Sequence, residues 1–169
     1  MINFRKIKIY IVLISILINI SYVNPCYSLS SREDLFKIAL DLSANGNFNL
    51  ALQEWNRYLD FYPNDAAALS NRGNVKLVIG DLEGSIDDQD KAISLNSDTV
   101  DPYINRGIAE EALGLWKLAK KDYLYVISKD STNSAALYNF ANVEGSLSNW
   151  ERARDLFSQA ANFNPGFAM

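Results

Sequence analysis

A 34-residue periodicity constrains the fold of this chain more than any other feature of its sequence. The motif Asn71-Arg72-Gly73 recurs as Asn105-Arg106-Gly107, and further steps of the same length from the two glycines reach Ala39 and Ala141. Four more sets of residues are separated by the same 34 positions, and we call each such set a column. They are Ala51, Ser85, Ala119, Ala153; Phe48, Leu82, Trp116, Trp150; Trp55, Gln89, Tyr123, Phe157; and Tyr58, Ala92, Val126, Ala160. Five columns in one register predict a chain built from a single repeated unit.

The pattern within each unit predicts a helical hairpin. Small residues on two helices let their backbones approach closely, and bulky residues above and below fill the remaining space. Each unit is expected to contain a helix of about fourteen residues, a turn, and a second helix of similar length. Gly46, Gly80 and Gly114 lie where these turns need a positive φ.

Helix ends carry matching signals. Pro63 and Pro165 occupy equivalent positions beyond second helices, where a proline prevents the helix from continuing. Polar residues that can cap the starts of first helices precede three of the units. The predicted caps are Ser31 with Asp34, Asp101 before Pro102, and Asn133 or Ser134.

The period, the small and aromatic columns and the terminal prolines resemble the tetratricopeptide repeat family. The resemblance implies an all-α, right-handed α-solenoid of four stacked helix-turn-helix repeats, at 32–65, 66–99, 100–133 and 134–167 within a domain 32–167. The second unit, around Asn71-Arg72-Gly73, is similar to repeats of exported or membrane-associated proteins in cyanobacteria and plastids. Departures from the family pattern affect local packing: Gln89 replaces an aromatic residue, Lys129 an apolar residue, and Ser97 and Ser131 the terminal proline.

The N-terminal segment 1–28 has the pattern of a secretory signal. Basic residues within the first eight positions precede an apolar run over residues 9–23, and Cys26 and Ser28 offer small residues for cleavage after Ser28. We therefore expect a signal peptide at 1–28 and export to a periplasm, a thylakoid lumen or the medium. An uncleaved membrane anchor at residues 9–23 is the alternative, and lipidation of Cys26 fits its proline context poorly.

Composition excludes several classes of function. The chain has no histidine and one cysteine, which rules out His-based acid–base chemistry, Cys–His and Ser–His–Asp sites, and ordinary zinc sites. The formal charge is −4, and the 13 basic and 20 acidic residues that follow Ser28 carry −7. This balance argues against a nucleic-acid partner. We expect no enzyme activity, no cofactor and no metal, and membrane contact only through an uncleaved N-terminal segment.

The resemblance implies that first helices line a concave groove that binds a peptide or a helix of another protein. The groove residues expected from it are Phe36, Leu40, Ser70, Asn71, Asn74, Leu77, Ile104, Asn105, Ile108, Glu111, Tyr138, Asn139 and Asn142. Chaperone-tail binders of this family clamp a terminal carboxylate with Lys and Arg at matching positions. Here those positions hold Phe36, Ser70, Ile104 and Tyr138, so a carboxylate clamp is not expected.

Two groups of these residues have a second interpretation. The amides Asn71, Asn105 and Asn139 can bond a peptide backbone, or they can bond the neighbouring turn. The apolar groove residues can equally belong to the core between repeats. Outside the groove, the acidic run Asp81–Asp90 lacks the spacing of a calcium loop and is expected to be a solvated face, as are the lysines at 117, 120 and 121.

The alternative function is self-association through the faces of the terminal repeats. The fourth unit ends near Phe167, and no further capping helix is expected after it. Its aromatic residues would then leave an apolar edge that docks against a second copy or a partner. The expected edge comprises Phe157, Phe163 and Phe167.

Overall fold

The computed structural model describes residues 31–167, the side chain of Phe167 excepted, and it contains eight α-helices and no strand in that range. The prediction of an all-α helical repeat is confirmed. No helix in the described range is both long and apolar enough to cross a lipid bilayer. The predicted signal segment lies outside the described residues. In chain order the helices are α1 Arg32–Ala44, α2 Phe48–Phe61, α3 Ala66–Val78, α4 Leu82–Leu95, α5 Asp101–Ala112, α6 Trp116–Lys129, α7 Ser134–Ser146 and α8 Trp150–Phe163, followed by a 3-10 turn Pro165–Phe167.

The helices form successive hairpins whose second members begin one repeat period apart, at Phe48, Leu82, Trp116 and Trp150. Within the described residues, α3 packs on α4, α5 on α6 and α7 on α8. The first helices also contact one another, α3 with α5 and α5 with α7. First helices therefore lie side by side along one face of the stack, as the groove prediction requires.

Capping side chains start several helices. Ser31 and Asp34 form a reciprocal capping box, in which each side chain accepts a hydrogen bond from the other's backbone N–H, at 3.0 and 3.1 Å. Asn133 accepts from the N–H of Ala136 at 3.0 Å, which confirms it as the cap of α7. The expectation for Asp101 was wrong by one residue: it lies inside α5, and Val100 is the N-cap without a side-chain bond.

The turns inside the hairpins need a left-handed residue. Gly46, Gly80 and Gly114 have φ values of 74°, 86° and 73°, as expected from their positions. The fourth hairpin places Ser148 at the equivalent position with φ 64°, and Ser148 is the only non-glycine residue with positive φ in the described range. A side chain there costs conformational energy that glycine avoids.

The small and bulky columns meet inside each hairpin. A Cβ on Gly107 would lie 2.6 Å from the Tyr123 ring, and a Cβ on Gly73 would lie 2.5 Å from Gln89 Nε2. Gln89 is fully buried and donates a hydrogen bond to the carbonyl oxygen of Ser70 at 3.0 Å. The amide thus replaces the aromatic residue of the other units without loss of close packing.

Candidate functional site

A concave depression of about 520 Å³ lies between the first helices α3 and α5. Its walls are short polar and apolar side chains, and among the described residues that line it Asp101 alone is charged. The lining residues are Ala66, Ala67, Ser70, Asn71, Asn74, Asn96, Thr99, Asp101, Pro102, Ile104, Asn105 and Ala135. We call this depression the groove.

Five of the predicted groove residues line the groove. They are Ser70, Asn71 and Asn74 on α3, and Ile104 and Asn105 on α5. Within the part of the chain that the structure describes, Asn71 donates a hydrogen bond to the carbonyl oxygen of Ala67 at 2.9 Å, which is the local role considered for this column. The side chains of Asn74 and Asn105 make no such bond to the described residues, so their amides are available to a ligand.

Other predicted residues lie on first helices but outside the groove lining. Phe36 packs edge-on against Trp55 and Tyr58, with ring centroids 4.9 and 5.4 Å away, so it contributes to the core of the first hairpin. Glu111 accepts a hydrogen bond from the Tyr123 hydroxyl at 3.2 Å. Leu40 is exposed, whereas the remaining five are partly buried: Leu77, Ile108, Tyr138, Asn139 and Asn142.

Two of the three residues of the predicted docking edge, Phe157 and Phe163, have described side chains, and they differ in exposure. Phe157 is partly buried and packs edge-on against Tyr138 at 5.2 Å between ring centroids. Phe163 is 51% exposed, but Phe61, at the same place in the first unit, is 66% exposed. Exposure is therefore a property of this position in the repeat. The side chain of Phe167 is outside the described residues.

Three residues that line the groove, each three positions before Ser70, Ile104 or Tyr138, were not predicted from the sequence. Ala67, Asp101 and Ala135 are related by the repeat period and line the groove from three successive first helices. Their equivalent positions in the repeat could have predicted them as groove residues. No sequence pattern predicts the linker residues Asn96 and Thr99, because their position depends on how α4 connects to α5.

Buried ion pairs inside the hairpins were also missed. Arg72 binds Asp88 through two hydrogen bonds, at 2.8 and 2.6 Å, and Lys76 adds a third contact to Asp88 at 3.0 Å. Asp88 is 4% exposed, so its assignment to a solvated acidic face was wrong. The sequence shows that Arg72 and Arg106 are one repeat period apart, but only the folded hairpin shows which acidic residue each arginine binds.

The third hairpin repeats this arrangement with an excess of acid. Arg106 binds Asp122 through two hydrogen bonds of 2.7 Å and also contacts Asp90 of the preceding hairpin. The place of Lys76 is taken by Glu110, which is 6% exposed and whose Oε2 has no hydrogen-bond partner among the described residues. Burial and the nearby Asp122 raise the pKa of Glu110 to about 7.

The fourth hairpin shows how a buried glutamate is normally compensated. Glu144, at the position of Glu110, accepts hydrogen bonds from Lys120 and Asn149 at 2.6 Å each, and Arg152 lies 3.7 Å away. Although burial opposes ionisation, these bonds hold the pKa of Glu144 below its usual range. Lys120 is therefore part of a buried pair, contrary to its assignment to a solvated face. One unit earlier the same three positions hold only apolar side chains: Ile86, Leu115 and Leu118.

No family model matches the chain. Human "Tetratricopeptide repeat protein 6" is 28% identical over 144 residues, which are 85% of this chain and 27% of that protein. The chain spans about a quarter to a third of the length of the curated relatives it matches.

Solved structures share the fold at low sequence identity. A crystal structure of MamA protein superposes with a TM-score of 0.72 at 21% identity, over 82% of this chain and 76% of that one. The first TPR domain of Spaghetti (RPAP3), bound to the HSP90 peptide SRMEEVD, superposes with a TM-score of 0.67 at 22% identity, over 69% of this chain and 93% of that one. These neighbours show a tetratricopeptide-repeat fold, and with the names of the relatives they support the tetratricopeptide-repeat family, whose members are protein-interaction scaffolds.

Proposed function

We propose that this chain is a non-catalytic scaffold, an assembly or chaperone-like factor, that binds an extended segment of a partner protein in the groove. The observation that carries the proposal is that Asn74 and Asn105, on facing first helices, line the groove and that their side-chain amides make no hydrogen bond to the described residues. Side-chain amides donate and accept, so they can pair with the backbone of an extended peptide whatever its sequence.

The charge of the groove supports an internal segment of the partner rather than its C-terminus. No lysine or arginine of residues 31–166 lines the groove, and Asp101 would repel a terminal carboxylate. The RPAP3 neighbour binds an acidic HSP90 peptide. An uncharged or weakly basic segment with apolar side chains for Ile104 and Pro102 suits this groove better.

Site-specific photocrosslinking tests the proposal. A photoreactive benzoylphenylalanine replaces Asn71, which lines the groove and whose amide is bonded locally, or, as a matched control, the exposed Asp87 on α4. We expect a discrete crosslinked partner from position 71 and none from position 87. The double change Asn74→Ala with Asn105→Ala, combined with the same crosslinker at residue 71, should remove the adduct. Equal labelling from both faces contradicts the proposal.

We also propose that the chain is exported. The basic head, the apolar run 9–23 and the small residues before Leu29 support this, and an anchor at residues 9–23 is the alternative. Intact-mass measurement of the native protein should give a species that begins at or near Leu29. A full-length species that resists carbonate extraction contradicts cleavage and favours the anchor.

Self-association is the second proposal. The half-exposed Phe163 supports it, since exposed aromatic residues are enriched in interfaces. Light scattering over a wide concentration range should reveal a dimer, and polar replacements of Phe163 and Phe167 should abolish it without loss of helicity. A monomer at all concentrations contradicts this proposal and leaves groove binding unaffected.

A further inference from the structure

An apolar depression of about 320 Å³ lies at the turn between α5 and α6, away from the groove and with no lining residue in common. Leu115, Leu118 and Leu147 are 43%, 50% and 37% exposed there. Single exposed leucines are ordinary, but several at one depression mark an interaction surface. The lining residues are Gly114, Leu115, Trp116, Lys117, Leu118 and Leu147, and we call this surface the turn pocket.

The repeat shows that the fold does not require leucine here. A second depression occupies the same place one unit later, and there Asn149 and Arg152 stand at the positions of Leu115 and Leu118. Its polar groups bind the buried Glu144. Because both hairpins have the same helix boundaries in the repeat, the helices themselves do not require an apolar surface at this place.

Leu115 also occupies a position that favours a different residue type. It is the N-cap of α6, and it has no side-chain oxygen to bond the free N–H groups of the first turn. The other three units have polar residues at this position, of which Asp81 caps α4 by accepting a bond from Gly84 N at 3.1 Å, whereas Asn47 and Asn149 make no side-chain cap bond. An exposed leucine at a position that is polar in the other three units is a local conflict of the kind that accompanies function. The equivalent residues are Asn47, Asp81, Leu115 and Asn149.

Two lysines border the turn pocket. Lys117 lines it, and Lys121 follows one helical turn later on the same side of α6. Both are exposed, and neither forms an ion pair or hydrogen bond with any residue in 31–166. The corresponding positions of the units before and after are acidic. They hold Glu83 and Asp87 in the second unit, and Glu151 and Asp155 in the fourth.

This charge pattern limits the shape of a ligand. The basic strip is one repeat wide, and helices pack about 8–10 Å apart. A flat anionic membrane surface would meet the acidic positions of the flanking units together with the two lysines. A single helix with acidic residues beside an apolar stripe would meet Lys117, Lys121 and the exposed leucines alone.

We propose that the turn pocket is a second docking surface, which binds an acidic amphipathic helix of a partner protein. Apolar side chains of that helix fill the depression between Leu115, Leu118 and Leu147. Its carboxylates pair with Lys117 and Lys121. The surface works independently of the groove, so one chain can hold two segments at once, and overall affinity then exceeds that of either surface.

A peptide pair of opposite charge tests the proposal with the full chain. The probe is a labelled 18-residue helical peptide with leucines on one face and glutamates beside them. The control peptide has the same sequence with lysines in place of the glutamates. Fluorescence anisotropy should show saturable binding of the glutamate peptide and at least about tenfold weaker binding of the lysine peptide. No saturation by the glutamate peptide at millimolar concentration overturns the proposal.

Variants drawn from the fourth unit localise the binding. The double change Lys117→Glu with Lys121→Asp should reverse the preference between the two peptides. The double change Leu115→Asn with Leu118→Arg should lower the affinity for the glutamate peptide at least about tenfold. All four replacements occur naturally at these positions in the fourth unit, so the hairpin should tolerate them, and circular dichroism with urea unfolding checks this. A charge preference that survives the lysine changes in a folded variant overturns the proposal.

Two further measurements separate the alternatives. Asn74→Ala with Asn105→Ala should leave peptide binding at the turn pocket unchanged, so failure of the groove proposal and of this one are distinguishable. Vesicles of phosphatidylserine and phosphatidylcholine should not compete with the glutamate peptide. Competition by these vesicles that depends on Lys117 and Lys121 assigns the surface to a membrane and overturns the helix proposal.

Discussion

The Tyr123 ring lies directly over the backbone of Gly107, and a Cβ on residue 107 would come within 2.6 Å of Tyr123 Cε1. Tyr123 is fully buried and its hydroxyl is bonded to Glu111, so the ring has little freedom to move away. The small column of the repeat is thus required by an aromatic residue of the facing helix.

Gly107→Ala should therefore destabilise the chain although alanine favours helices. We expect a loss of about 1–3 kcal/mol in the free energy of unfolding, from overpacking against Tyr123. Urea unfolding followed by circular dichroism measures it. Gly145→Ala is the matched control, because the nearest atom to its Cβ would lie at an ordinary 3.5 Å. Equal effects at the two glycines would contradict the close contact at Gly107.

Glu110 should make stability depend on pH near neutrality. Its pKa is raised to about 7 in the folded chain and is ordinary when unfolded, so the folded state binds more protons between these values. The contribution of Glu110 to the free energy of unfolding is therefore largest below about pH 4.5 and is lost as the pH rises through 7. From pH 5 to pH 8 we expect a loss of about 2 kcal/mol, measured as the urea midpoint at each pH.

Two variants assign this pH dependence. Glu110→Gln should flatten most of it and leave a smaller slope from Glu111, whose pKa burial also raises. Glu110→Lys should stabilise the chain at pH 8, because Lys76 shows that a lysine at this position contacts the buried aspartate. Glu144→Gln is the contrasting control: Glu144 has a lowered pKa, and its stabilisation is lost only as pH falls below the ordinary range of glutamate. An unchanged slope in Glu110→Gln would contradict the assignment.

The pair of Arg106 and Asp122 should be costly to break and inexpensive to replace. Asp122→Ala leaves a half-buried guanidinium without its main partner, and we expect a loss of about 3 kcal/mol. The double change Arg106→Met with Asp122→Leu should restore stability to within about 1 kcal/mol of the original chain at pH 6. Thermal or urea unfolding provides the values. A double variant as unstable as the single one would show that the charges contribute net stability.

Ser148→Gly should stabilise the fourth hairpin. Ser148 has φ 64°, where glycine in the other units has no steric penalty, and relief of this strain should contribute about 1 kcal/mol. The reverse change in the third unit, Gly114→Ser, should cost a similar amount. Differential scanning calorimetry of both variants tests the pair. Changes of the same sign would contradict a common left-handed turn.

Repeat period, helix type and most turn positions could be predicted from the sequence because they depend on local chemistry. The glycines at 46, 80 and 114 mark left-handed turns since only backbone conformation matters there. Ser148 escaped this reasoning because a serine does not mark a left-handed turn by its type, and only its register with the three glycines indicates one. The groove amides Asn71, Asn74 and Asn105 were predicted from the family resemblance, which implies that first helices line a concave face.

The charged residues show what only the tertiary structure decided. Arg72, Asp88 and Glu110 have the composition of a solvated surface, and helical periodicity alone cannot say which of them face the neighbouring hairpin. Stacking buries Asp88 against two cations and leaves Glu110 near Asp122, with its Oε2 unpartnered among the described residues. The physical reason is distance. Propensity and capping act over a few neighbours in the chain, whereas ion pairing joins distant residues, such as Arg72 and Asp88, 16 positions apart, and Lys120 and Glu144, 24 positions apart.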